Sequence, residues 1–203
     1  MLSIQAATKY ACNIEEGIWC DCQMMLLSLL VNSNGDIYAA RRICKELRYY
    51  YTQKNYAPFA QKGLYALKRK WSALYSVEIA AQKTEDSVSY FRNGLYPSQY
   101  LMALNNHAAN LIVLGDFAEA MKYLNEAIGA LKKFQVVRVN RMYLLNNYCL
   151  CAVLSEALSP ADAYKKLLPI MDQREFGDWA IIFRLNCAIY MALAGEIDQA
   201  EEN

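Results

Sequence analysis

Apolar and small residues recur along this chain at helical spacing, and the same order returns at intervals near 40 residues. Leu104, Ala108 and Leu111 lead to Gly115, and Phe117, Ala120, Leu124 and Ala127 follow it. Spacings of three and four put each set on one helical face, so the pattern predicts two amphipathic helices joined by a tight glycine turn. Eighty residues earlier the order is Met24, Ser28, Val31, Gly35, Ile37, Ala40, Cys44 and Leu47. Eighty residues after the first unit come Cys187, Ala188, Met191, Gly195, Ile197 and Ala200. Three copies in register imply one supersecondary unit used repeatedly.

Two weaker copies fill the gaps. Leu64, Leu67, Trp71, Val77 and Ala80 form one whose turn carries Tyr75 in place of glycine. Leu145, Cys149, Ala152, Pro160, Ala163, Leu167 and Ile170 form another, with about two extra residues at the turn. Alanine therefore marks the second helices at 40, 80, 120, 163 and 200. The predicted pairs are 15–31 with 36–53, 57–73 with 76–93, 98–113 with 116–133 and 139–157 with 160–172, followed by 178–194 and the start of its partner. Turn-rich breaks at 32–36, 93–97 and 175–178 agree with these boundaries. Asp36, Asp116 and Ser159 are the expected N-caps.

The unit from Leu104 to Ala127 resembles the tetratricopeptide repeat (TPR): a large residue, a small one four later, a large one, a glycine turn, an aromatic, then an Ala-large-Ala series. The small residues suit close helix crossing, and the large ones fill the gaps between helices. The resemblance implies an all-α, right-handed α-solenoid of antiparallel helix hairpins, a single domain over 1–203 with repeats at about 15–53, 57–93, 98–133, 139–172 and a partial one at 178–203. A period near 40 exceeds the roughly 34 residues of a standard TPR, which implies longer helices or loops. The last partner helix stops at Glu201-Glu-Asn203 before its own core positions are complete, where a solenoid normally ends in a polar cap, and 2–12 resembles the second helix of an earlier hairpin; both lead us to expect a fragment of a longer protein.

Composition narrows the class. Hydrophobic residues make up 56% and charged ones 20%, enough apolar surface for a packed core. Eight glycines and four prolines are too few for the many turns of a sandwich or barrel. The net charge of +1 supplies no field for nucleic acid or an anionic membrane, so neither is expected as a partner. Seven cysteines, an odd number placed among apolar positions, suit a reducing cytoplasm. No secretory leader or membrane-length apolar run is found.

Candidate chemistry is sparse. His107 is the sole histidine, and it falls where the repeat takes a large apolar residue; an interhelix packing role is expected, with an embedded catalytic site around it as the distant alternative. Cys20-Asp-Cys22 and Cys149-Leu-Cys151 have the look of metal pairs, but residues two apart on a helix diverge by about 200°, whereas helical ligands sit three or four apart. No Gly-rich phosphate loop is present. Neither cofactor nor metal is expected, and the chain is read as non-enzymatic. Arg41, Arg42, Lys45, Arg48, Tyr49–Tyr51 and Lys54 interleave cations with aromatics, as single-strand nucleic-acid platforms do; a solvated helix face with snorkelling cations is the preferred reading. Lys68-Arg-Lys70 is read the same way.

Asn106, Asn147 and Asn186 recur two residues before the small residue of three successive first helices. In TPR proteins the first helices line a concave groove, and the resemblance implies a ladder of carboxamides that grips the main chain of a bound peptide. Asparagine both donates and accepts, so it binds backbone without demanding a sequence. Packing between helices is the rival role. Four residues before each Asn stand Met102, Tyr143 and Ile182, where a carboxylate-clamping TPR carries Lys or Arg. Together with Ala109, Ile112, Leu150 and Ile189, they imply a groove for an apolar or backbone-recognised protein or peptide. Self-association and contact with further domains of a parent chain are the other partnerships considered. The alternative function implied by the resemblance is the ligand-sensing carboxy-terminal region of a bacterial signal-transduction ATPase of the STAND type.

Overall fold

The computed structural model describes residues 16–32, 36–53, 58–68, 74, 76–93, 95–134, 138–171 and 179–195, apart from the side chains of 16, 32, 58–59, 138–140, 170–171 and 179–183. The chain divides into two compact units, Met1–Arg92 and Asn93–Asn203. Among the described residues all regular structure is helical. The first unit contains α1 (Glu16–Asn32), α2 (Ile37–Gln53), α3 (Pro58–Lys68) and α4 (Val77–Phe91). The second contains α5 (Pro97–Val113), α6 (Phe117–Phe134), α7 (Arg138–Leu154), α8 (Pro160–Met171) and α9 (Trp179–Leu193).

Each helix packs on the next within its unit, and α1 also packs on α3 and α5 on α7. A first helix touching both its own partner and the next first helix is the contact pattern of stacked hairpins. The sequence period explains where the cores lie. On α2, Ala40, Ile43, Cys44, Leu47 and Tyr51 form the buried stripe, with spacings of three and four. Ala40, Ala80, Ala120 and Ala163 are all completely buried, one on each described second helix. A methyl group there lets the paired helix approach closely. Cys20, Leu26, Leu27 and Leu30 from α1 close the first core. In α9 Cys187 and Tyr190 are fully buried, while Ala188, at the expected crossing point, is half-buried.

The three expected caps form. Asp36 Oδ1 accepts from the N–H groups of Tyr38 and Ala39 at 2.9 and 3.1 Å. Asp116 Oδ1 accepts from Glu119 at 3.2 Å, and Ser159 Oγ accepts from Asp162 at 3.1 Å while donating to its carboxylate at 2.7 Å. Gly115 ends α5 at φ 80°, with Asp116 N–H on Leu111 C=O at 2.9 Å and Gly115 N–H on Ile112 C=O at 3.0 Å.

The turn after α7 repeats that geometry without glycine. Glu156 takes φ 60°, Ala157 N–H reaches Ala152 C=O at 2.8 Å, and the helix stops at Leu154, short of the predicted 157. The extra residues of this copy are thus spent after a left-handed cap. Trp71, Tyr75, the turn glycine Gly35, the break at 175–178, the stretch 2–12 and the last partner helix with Ile197 and Ala200 lie outside the described residues. No described helix is long and apolar enough to cross a membrane.

Candidate functional site

The residues expected to line a groove lie on the first helices of the second unit. On α5, Met102, Asn106 and Ala109 follow at spacings of four and three, and on α7 Tyr143, Asn147 and Leu150 repeat them. These six and Asn186 on α9 are all half-buried, neither sealed in the core nor fully open. The Ile182 side chain lies outside the described residues. Burial raises the Tyr143 hydroxyl above its ordinary pKa, so the ring presents a neutral phenol. Of the other apolar residues expected nearby, Ile112 is buried and Ile189 is exposed.

Asn side chains of α5, α7 and α9 hydrogen-bond to one another in series, through partners that the spacing did not single out. Asn147 Nδ2 donates to Asn105 Oδ1 at 2.9 Å, and Asn186 Nδ2 donates to Asn146 Oδ1 at 2.7 Å. Each interhelix bond runs from the Asn of one first helix to the residue just before the equivalent Asn of the preceding one. Asn105 reaches Asn106 at 3.5 Å and Asn146 reaches Asn147 at 3.4 Å, long distances that make these links far weaker than the two between helices. All four bonds run in one direction, from α9 towards α5. The signal in the sequence was the doublet, Asn105-Asn106 and Asn146-Asn147. In the third copy Leu185 precedes Asn186, which ends the series of acceptors.

His107 is buried on α5 and meets the Tyr123 ring of α6 edge-on, with centroids 4.4 Å apart at 85°. That is a packing geometry between paired helices. Cys149 and Cys151 are both buried, yet they face different neighbours. Cys149 sits with Ala163, Leu167, Cys187 and Tyr190, whereas Cys151 Sγ lies 3.5 Å from Phe117 C=O at the start of α6. Burial pushes the Cys149 and Cys187 thiols up to about 11, so both are neutral thiols at neutral pH and not activated nucleophiles. Among the described residues no three His, Cys, Asp or Glu side chains gather as a metal site.

The basic and aromatic segment of α2 is not a stacking platform in this fold. Tyr51 is buried in the first core, and Tyr50 leans on Trp19 with centroids 5.3 Å apart at 57°. Tyr49 alone of the three is exposed. Arg41 Nε donates to Leu74 C=O at 3.0 Å, binding α2 to the chain before α4.

No protein-family model matches the chain, and no curated protein matches it in sequence. Solved structures do match it in fold. BtubC (BKLC) from P. vanneervenii aligns over 99% of this chain and 85% of its own, with a TM-score of 0.71 and 18% identity. A putative kinesin light chain from Podosopora anserina with nearly identical TPR-like repeats aligns over 93% of each chain, with a TM-score of 0.65 and 14% identity. The fold is therefore that of a TPR-like helical repeat protein.

Proposed function

We propose that the chain is a protein- or peptide-binding scaffold that receives an extended segment of its partner along the first helices of the second unit. The observation that carries this reading is the half-buried line of Met102, Asn106, Ala109, Tyr143, Asn147 and Leu150, with Asn186 beyond it, running beside a row of carboxamides. Each interhelix bond occupies one N–H of its donor, and an Asn side chain has two. The second N–H of Asn147 and of Asn186 addresses the carbonyl groups of a peptide laid across α7 and α9. Held by their neighbours, these amides lose little rotamer freedom on binding. Met102, Tyr143 and Leu150 supply apolar contact and no charge, so the segment they receive is apolar or recognised through its backbone. The TPR-like fold supports an interaction role of this kind. The free thiols among the described cysteines support a reducing location, the cytoplasm.

Selection of a random dodecapeptide library on the full chain tests the reading. Binders should lose affinity at least tenfold with Leu150→Glu or Met102→Glu and keep it with Lys132→Glu on the exposed side of α6. A library that yields no ligand, or ligands indifferent to both groove changes, sinks it.

A further inference from the structure

The first unit brings together two basic clusters that lie apart in the sequence. Arg48 and Thr52 of α2, Leu64, Leu67 and Lys68 of α3, and Lys83 of α4 line one open cleft with a volume of about 240 Å³. Lys68 Nζ and Lys83 Nζ converge on a single oxygen, Oδ2 of Asp86, at 2.9 and 4.0 Å. Two ammonium groups share one carboxylate here, and Arg48 lines the same cleft.

Lys68 is held rather than merely present. Its side chain is only 19% exposed, and its ammonium lies 4.5 Å from the centroid of the Tyr65 ring. That ring stacks on Tyr90 at 4.0 Å and 10°, and Ser87 Oγ donates to Tyr65 C=O at 2.7 Å, tying α3 to α4. Fixing a lysine this way costs side-chain entropy, and bringing two ammonium groups to one oxygen costs repulsion. The Asp86 carboxylate relieves part of that repulsion, a phosphoryl group beside the two ammonium groups relieves more, and a lysine already held loses little further freedom on binding.

We infer that this cleft is a binding site for a phosphate monoester with a small apolar body. The cations take the phosphoryl oxygens. The planar fork of Arg48 suits paired oxygens, and the lysines act as point charges. Leu64 and Leu67 give the rest of the molecule an apolar floor. Size limits the body: a cavity of about 150 Å³ holds benzene, while drug-sized ligands occupy about 300 Å³ or more. A phosphoryl group with one ring or a short alkyl chain fits between them. Such an ester is either a free metabolite or a phosphorylated side chain.

Isothermal titration of the full chain at low ionic strength decides the matter, with phenyl phosphate, inorganic phosphate and a phosphotyrosine pentapeptide as probes. Phenyl phosphate should bind saturably and at least tenfold tighter than inorganic phosphate. Arg48→Gln and Lys83→Gln should each weaken it about tenfold or more, as loss of a hydrogen bond to a charged group does, and Lys132→Gln should leave it unchanged. Equal affinity for the pentapeptide identifies a free ester as the ligand, and a tenfold preference for the pentapeptide identifies a phosphorylated side chain. Absence of saturable binding at millimolar concentration, or binding indifferent to both Arg48→Gln and Lys83→Gln, overturns the inference.

Discussion

Asn147 donates its side-chain N–H to the carbonyl oxygen of Asn105 across 2.9 Å, joining first helices through residues 42 apart in the chain. Asn186 and Asn146 repeat the arrangement at 2.7 Å. The amides proposed for recognition are thus part of what holds successive hairpins together. A net contribution of about 1 kcal/mol per bond is in line with neutral amide pairs.

Asn105→Ala and Asn147→Ala should each lower stability by about 1 to 2 kcal/mol, because each leaves a sheltered partner unsatisfied. Their double variant should lose less than the sum of the two, with a coupling of about 0.5 to 1.5 kcal/mol in urea unfolding. Strict additivity would show that the bond contributes nothing.

The cap after α7 predicts an unusual gain. Glu156 occupies a left-handed conformation at φ 60°, where the corresponding turns place Gly115 at φ 80° and Gly195 at φ 84°. A side chain there costs about 1 to 2 kcal/mol, and the added freedom of an unfolded glycine returns roughly half of that. Glu156→Gly should therefore raise stability by about 0.5 kcal/mol and the melting temperature by about 1 to 2 °C. A fall in calorimetric Tm contradicts the assignment.

Gly63 is required for a different reason. A Cβ at this position would run into the Tyr51 ring at Cζ and lie 2.7 Å from its Oη, and Tyr51 is buried in the first core. Gly63→Ala should cost about 1 to 3 kcal/mol, as overpacking does. Tyr51→Leu removes the ring that the methyl would strike, so in the double variant the cost of the alanine should largely vanish. A full additive cost places the strain elsewhere.

Alkaline pH should loosen the second unit. Burial holds the Cys149 and Cys187 thiols at about 11, against an ordinary value of 9.0. Folding therefore favours their neutral forms, and that contribution is complete below pH 9 and lost as pH rises from 9 towards 11. The melting temperature should fall across this window, and more shallowly in the Cys149→Ala, Cys187→Ala variant. Equal slopes would mean that other groups control the alkaline transition.

Much of the fold was legible in the chain because its determinants are local. Ala40, Ala80, Ala120 and Ala163 proved to be the buried contact points of their helices, since a small residue at a fixed offset from a turn leaves one way to cross. Asp36, Asp116 and Ser159 cap helices because a side-chain oxygen three residues before a free N–H acts within a single turn. Gly115 marked its turn by the same logic, whereas Glu156 gave no sign of its left-handed backbone, which the α7 turn imposes on a residue with no preference for it. The row of hydrogen-bonded amides was only partly legible. Asn106, Asn147 and Asn186 stood out by period, but Asn105 and Asn146, which accept the interhelix bonds, did not.

By itself the sequence determined that the chain forms helices, where they pair and turn, and which small residues face their partners, all consequences of spacing within one or two turns. Only the tertiary structure decided which amide meets which, that Gly63 lies under Tyr51, and that Arg48, Lys68 and Lys83 line one cleft. Those relationships depend on how far each helix is rotated and shifted against the next, a quantity set by the packing of whole helical faces and carried by no single stretch of residues.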